Sequence, residues 1–376
     1  MELPALKAFL EERKQPAYRY EQAARAFYVE LEDSWEKVTP WPKALREEAA
    51  KVVPWDALTA GVTQENKSGD TIKTLFACAD GLKIETVLMR NDPTATAGSH
   101  DDRNTVCISC QVGCPMGCTF CATGTMGLKR NLTVNEMVEQ VIFYARWLKA
   151  KGGRRITNVV YMGMGEPMNN YNEVMRSVRL LNAQDGFNLG ARHISISTCG
   201  VVPGILRLAD EPEQVNLAIS LHSGIDSTRS KIMPVNKAYD VTKLMRAVRT
   251  YTEKTNRKVF FEYLMLKGVN DSLEEADAVA DILEENPRLY HVNVIKYHDT
   301  DSFESTPKDG RMAFIQRLKE RRIPVTHRRT FGEDIDAACG QLAINDSDGK
   351  VSQGLEAVHL NREGRHAPAK EWGGEA

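Results

Sequence analysis

The chain contains no run of about eighteen apolar residues, the length needed to cross a bilayer, so no membrane contact is expected. Its opening, MELPALKAFLEERK, mixes acid and base without an apolar stretch ending in small residues. That argues against a secretory leader and predicts a cytoplasmic protein. Excess charge is also missing: 49 Lys and Arg stand against 51 Asp and Glu, a formal net charge of -2. The balance excludes a bulk attraction to polyanions, so any contact with nucleic acid must come from local basic stretches such as Lys129-Arg130 or His327-Arg328-Arg329. Internal repeats and low-complexity tracts are absent as well, which excludes repeat architectures.

What is present is an ordinary globular balance, 42% hydrophobic and 27% charged, in 376 residues. That length suits one large domain and a smaller one. Eight cysteines in a reducing compartment do not read as a disulfide framework. Their spacing says more than their number. Cys107, Cys110, Cys114, Cys118 and Cys121 crowd together while Cys78, Cys199 and Cys339 stand alone, a pattern of metal or redox chemistry.

Residues 1–53 show helical periodicity, with Leu6, Phe9 and Leu10 in one stretch and Ala23, Phe27 and Val29 in the next. Pro42 opens a third helix in WPKALREEAAKVV. In 54–104, TIKTLFACA and LKIETVLMR flank Asp80-Gly81 and predict a β-hairpin extension, followed by the polar linker NDPTATAGSHDDRN. From Thr105, six strand-like stretches (TVCIS, ITNVVYMG, HISIST, VNLAISLH, VFFEYLML, HVNVIKYH) each lead into a helical pattern. Thr133 and Glu136 fit a capping box at the start of the first of those helices. Six such units predict a parallel sheet with helices outside, and they fall short of a closed eight-stranded barrel. The expected fold over 105–333 is therefore α/β, a partial (βα)6 barrel. A last strand, PVTHRRT, leads into 334–376, with a mobile polar tail expected from about 345. Ligands of such folds gather at the carboxyl ends of the strands. The cysteine cluster, residues 163–167, Ser197-Thr198, Ser220-Leu221-His222 and Tyr297-His298 all fall there.

CPMGCTFC spaces three thiols as CxxxCxxC on one tight loop. Three such ligands, Cys114, Cys118 and Cys121, suit a 4Fe-4S cluster and leave its fourth iron open. An open iron can bind the amino and carboxylate groups of S-adenosylmethionine (SAM) and pass an electron into the sulfonium, releasing a 5'-deoxyadenosyl radical. The bland alternative is a structural zinc ion, which usually takes four ligands in two separated pairs. The uneven spacing, Phe120 before the last cysteine and the βα setting oppose it. CxxxCxxC with that Phe resembles the signature of the radical-SAM superfamily. The stretches CISCQVGCPMGCTFCATGTMGLKRNLT, YMGMGEPMNN, ISTCGVVP, LAISLHS and GEDIDAACGQLA narrow the likeness. In order, and over nearly the whole chain, they resemble the RlmN family of radical-SAM adenine C2 methyltransferases of 23S rRNA and tRNA, with Cfr a near relative.

That resemblance implies a site. Gly165, Glu166, Ser197, Ser220, Leu221 and His222 would bind SAM, with Gly165 allowing close backbone approach and Glu166 accepting from the methionine amino group. Where the family has Asn after an aromatic residue near the end of the sixth strand, this chain has Tyr297-His298, and His298 is the candidate replacement. Cys339 would carry a methyl group taken from a first SAM, and a second SAM would supply the radical that activates it. Cys107 would then attack the Cys339 sulfur, release the product and leave a disulfide for a thiol reductant to open. Glu85 would remove the C2 proton. By type alone Cys339 is a small buried hydrophobe and Glu85 a solvated strand residue. Cys110, Cys78 and Cys199 are expected to be incidental or structural.

The RNA, 23S rRNA and possibly tRNA, would be met at unstacked adenosines. Arg13, Lys14, Tyr18, Arg19 and Tyr20 of the N-terminal module are candidate contacts. The partners implied are a one-electron donor such as flavodoxin or ferredoxin and a thiol reductant, with the enzyme a monomer. Two alternatives stay open on the residues alone: a Cfr-like C8 methyltransferase, and an RNA-binding protein with a structural iron–sulfur or zinc site.

Overall fold

A computed structural model describes residues 4–298 and 302–342, together with the strand segments His359–Leu360 and His366–Ala367. The tail expected from about 345 otherwise lies outside the described residues. Three helices come first: α1 (Pro4–Glu12), α2 (Tyr18–Tyr28) and α3 (Lys43–Val52). Their apolar stripes bury Leu6, Phe9, Leu10, Ala23 and Phe27 as the periodicity requires, whereas Val29 lies beyond α2 and is exposed. Pro42 caps α3, the position where a missing N–H costs nothing.

Three antiparallel strands follow: β1 (Leu58–Glu65), β2 (Thr71–Cys78) and β3 (Lys83–Arg90). The expected hairpin is β2–β3. The added strand, β1, is mostly solvent-facing, so its sequence LTAGVTQE lacks the apolar alternation that marks a strand. The meander is not a free extension either, because β3 pairs antiparallel with β4 (Asn104–Cys107), the first strand of the barrel.

A separate short ladder joins β5 (Gln111–Gly113) to β6 (Leu128–Asn131), bracketing the helical turn α4 (Ala122–Thr125). After α5 (Val134–Ala150), strands and helices alternate: β7 (Asn158–Tyr161), α6 (Tyr171–Asn182), β8 (Ile194–Thr198), α7 (Val202–Leu208) and β9 (Asn216–Ser220). Next come α8 (Asp226–Ile232), α9 (Val241–Thr255), β10 (Val259–Met265), α10 (Leu273–Leu283), β11 (Tyr290–Lys296), α11 (Lys308–Glu320) and β12 (Val325–His327). The strand order β1-β2-β3-β4-β7-β8-β9-β10-β11-β12 makes one ten-stranded sheet, parallel from β4 onward and unclosed between its ends. This is the expected partial barrel. The capping box is present, since Thr133 Oγ1 accepts from Glu136 N and a Glu136 carboxylate oxygen accepts from Thr133 N.

Candidate active site

The cysteine loop owes its shape to the β5–β6 ladder, which makes the chain leave and return at one point. Gly113 has φ +74°, and a Cβ there would lie 1.9 Å from the carbonyl oxygen of Gly127, so only glycine fits. Cys114 N donates to that same oxygen at 3.1 Å. Further round, Thr119 N donates to Ile232 O and Ala122 N to Gly340 O, tying the loop to the barrel and to the C-terminal segment.

Cys114, Cys118 and Cys121 line one cavity of about 150 Å³, and Gly165, Glu166, Ser197, Ser220 and His222 line it with them. Burial pushes the Cys114 thiol up to about 12 and raises Cys118 and Cys121, with Cys121 and Cys114 adding to the effect on Cys118. Among the described residues no three His, Cys, Asp or Glu side chains are drawn close enough to hold a single metal ion. The three thiols around one cavity are the donor type an iron–sulfur cluster takes.

The Glu166 carboxylate, 3% exposed, accepts from Met168 N at 3.0 Å and Cys199 N at 2.8 Å. Burial raises its pKa against those two donors. Gly165 has φ +103° and sits so close to Gln111 that a Cβ would lie 2.5 Å from it; Gln111 Oε1 accepts from Glu166 N at 2.9 Å. His222 is held down to about 3 by burial and by Arg229, so it is neutral, and its Nδ1 accepts from Leu264 N at 3.0 Å. Its ring meets Phe120 edge-on at 4.9 Å, which gives the aromatic before the last cysteine a packing role. Leu221 does not face the cavity; it is fully buried in the core.

A second cavity, of about 90 Å³, is lined by Cys107, Val87, His298, Arg328 and Cys339. Cys107 lies opposite Val87 in the β3–β4 register. Its thiol is raised to about 12 by burial and by Cys339, with Arg328 opposing. Both thiols are free. Cys339, Gly340, Cys121 and Arg328 border both cavities. His298 lines only this second cavity, with Nδ1 3.5 Å from Glu333 Oε1.

Cys339 is carried by a strap, residues 328–342, laid over the meander. Arg329 Nη2 lies 2.9 Å from Asp70 Oδ2, Lys67 N donates to Asp334 Oδ2 at 3.1 Å, and Lys73 Nζ donates to Asp336 O at 3.2 Å. Glu85 is on β3 near this contact, with Oε1 3.2 Å from Lys73 Nζ and its side chain 7% exposed. It forms part of neither cavity wall.

Of the basic stretches offered for polyanion contact, Lys129 and His327 are exposed, while the arginines are paired within the chain. Arg130 pairs with Glu136 and Asp80, Arg328 with Glu262 at 3.2 Å, and Arg329 with Asp70. In the N-terminal module Arg13 is bound to Glu48, and Arg19 donates to Pro40 O. Tyr18 is 49% exposed. The Glu262–Arg328 pair at the cavities was not singled out from sequence, although a charged residue inside VFFEYLM is a signal for an inward-facing group. Cys199, expected to be structural, borders the cluster cavity and holds Glu166 through its N–H.

Three thiols on a loop at the carboxyl edge of an open parallel barrel are the arrangement of radical-SAM enzymes. Residues 108–280 match the Radical SAM superfamily, whose members use a 4Fe-4S cluster and SAM. A probable dual-specificity RNA methyltransferase RlmN from Staphylococcus haemolyticus is 44% identical over 339 residues, 90% of each chain. Its counterpart from Geobacillus thermodenitrificans is 43% identical over 342 residues, again 90% of each. A radical SAM methyltransferase from Sphaerobacter thermophilus, known from its crystal structure, superposes with a TM-score of 0.83 at 45% identity, over 90% of this chain and 96% of that one. The chain belongs to the RlmN family.

Proposed function

We propose that the chain methylates C2 of adenosine in RNA, 23S rRNA and also tRNA, by way of a methyl group carried on Cys339. C2 lies between two ring nitrogens and is too electron-poor to attack a sulfonium methyl, so a radical route is required. Cys114, Cys118 and Cys121 would hold the cluster, and Gly165, Glu166, Ser197, Ser220 and His222 would seat SAM. When bound, that pair supplies a 5'-deoxyadenosyl radical able to take a hydrogen atom from the S-methyl group of Cys339. The chain's own residues do the rest. Cys339 presents the activated carbon to C2, Glu85 takes the C2 proton, and the surplus electron of the adduct would leave to a one-electron acceptor. Cys107 then attacks the Cys339 sulfur, the C–S electron pair leaves with the carbon, and that carbon takes a proton to become the methyl group. The Cys107–Cys339 disulfide so formed needs an external thiol reductant.

The observation that carries this reading is the position of Cys339 in the wall shared by two cavities, one with the three thiols and one with Cys107. Leu221 would act from the core by shaping the strand end, and His298 would act beside Cys107 rather than on SAM. We assign 1–53 to RNA contact, 54–104 to a platform for the strap, 105–333 to the radical-SAM core and 334–376 to the methyl-carrying segment. The proposed setting is the cytoplasm, as a monomer served by a flavodoxin- or ferredoxin-type donor. The test is anaerobic reaction of the reconstituted protein with SAM and RNA, followed by nucleoside mass spectrometry. 2-Methyladenosine is expected. 8-Methyladenosine alone would overturn the regiochemistry, and no 5'-deoxyadenosine from SAM would overturn the enzyme.

A further inference from the structure

Lys73 on β2 joins three elements with one ammonium group. Its Nζ lies 3.2 Å from Glu85 Oε1 on β3 and 3.2 Å from the carbonyl oxygen of Asp336, three residues before Cys339 on the strap. The two side chains are 12% and 7% exposed, so the contact is largely out of water. An isolated surface salt bridge would contribute little and would touch nothing else. This one reaches both the carboxylate assigned to proton removal and the segment that presents the methyl carrier.

We propose that Lys73 is a positioning residue of the methyl transfer, holding the Glu85 side chain in place and fixing the strap so that Cys339 and Glu85 meet the same base. The inference rests on the roles given above to Glu85 and Cys339. The ion pair fixes where the Glu85 carboxylate stands, and an acceptor must be held in place against the C2–H bond to take its proton. The same ammonium, through Asp336, sets the distance between acceptor and carrier. In the step concerned the C2–H bond breaks, an O–H bond forms on Glu85 and the electron pair stays on the adenine ring. The proton transfer is itself redox-neutral. Radical addition, however, leaves one surplus electron on the adduct, which would leave to a one-electron acceptor such as an oxidised iron–sulfur cluster before the closed-shell thioether stands. Scission of the carbon–sulfur bond follows and belongs to Cys107.

The experiment compares reconstituted Lys73→Met, Lys73→Arg and Glu85→Gln with the unaltered enzyme. Four quantities are read: methylation of the Cys339 peptide, 5'-deoxyadenosine, covalent protein–RNA adduct and 2-methyladenosine. Lys73→Met is expected to methylate Cys339 and form 5'-deoxyadenosine, yet to release product about 100-fold more slowly while the adduct accumulates. Lys73→Arg, which keeps the cation, is expected to recover at least about a tenth of the product rate. Glu85→Gln should show the Lys73→Met pattern. Normal product release by Lys73→Met beside adduct accumulation in Glu85→Gln would overturn this inference alone. Loss of Cys339 methylation in Lys73→Met would also overturn it, because Lys73 would then act before the proton step. Normal turnover by Glu85→Gln would remove the proton-acceptor reading and this inference with it.

Discussion

Cys107 and Cys339 stand far apart in sequence yet line the same cavity, each as a free thiol. In the proposed route the first sulfur can act only after the second has bonded to RNA through its methylene carbon. Cys107→Ala should therefore stop turnover with a covalent adduct through Cys339, whereas Cys339→Ala should form no adduct and no methylated base. Denaturing electrophoresis with labelled RNA reads both, and adducts in both variants, or in neither, would exclude a two-cysteine route. The cluster cysteines were legible in the sequence because CxxxCxxC places three ligands within one loop. The pairing of Glu262 with Arg328 and the reach of Lys73 to the strap were not. The partners lie 66 and 263 residues away, and nothing local in HRRT or TIKT announces a partner that distant.

At the scale of elements, the parallel strands and the Thr133 capping box followed from apolar runs and local hydrogen-bonding chemistry, and both are present. The short β5–β6 stem is not legible in the sequence, because three- and four-residue strands carry too little pattern. Yet the stem shapes the cysteine loop. An Ala at Gly113 would set a methyl group against the Gly127 carbonyl oxygen in a left-handed backbone. Gly113→Ala should cost at least about 2 kcal/mol and lower the iron and sulfide bound after reconstitution. Gly98→Ala is the control. Its φ is +80° but nothing lies within 4 Å of the added carbon, so it should cost about 1 kcal/mol and leave the iron content unchanged. Equal iron loading in both variants would show that the stem does not shape the cluster site.

At the scale of the whole molecule, the N-terminal helices read from sequence as a separate module, because their periodicity ends before the strands begin. The packing argues otherwise. One hydrophobic core runs from Leu6 through Trp35, Trp41 and Trp55 into the barrel and on to Leu342. Trp55 sits at the joint, edge-on to Trp35 at 4.8 Å and 5.6 Å from Phe27, with Nε1 donating to Glu32 O at 3.1 Å. Helix α5 closes the joint from the barrel side: Glu139 accepts from Ala57 N, Arg146 pairs with Asp56 at 3.0 Å, and Lys149 donates to Glu30 O at 2.6 Å. Elements that share a core and exchange hydrogen bonds lose their stability together. Calorimetry should therefore show one main unfolding transition, and Trp55→Ala, costing about 3–5 kcal/mol, should move it down as a unit. If Trp55→Ala instead splits the trace into an early helical transition and an unshifted later one, residues 1–53 are an independent unit, and any RNA contact they make is thermodynamically separable from the barrel.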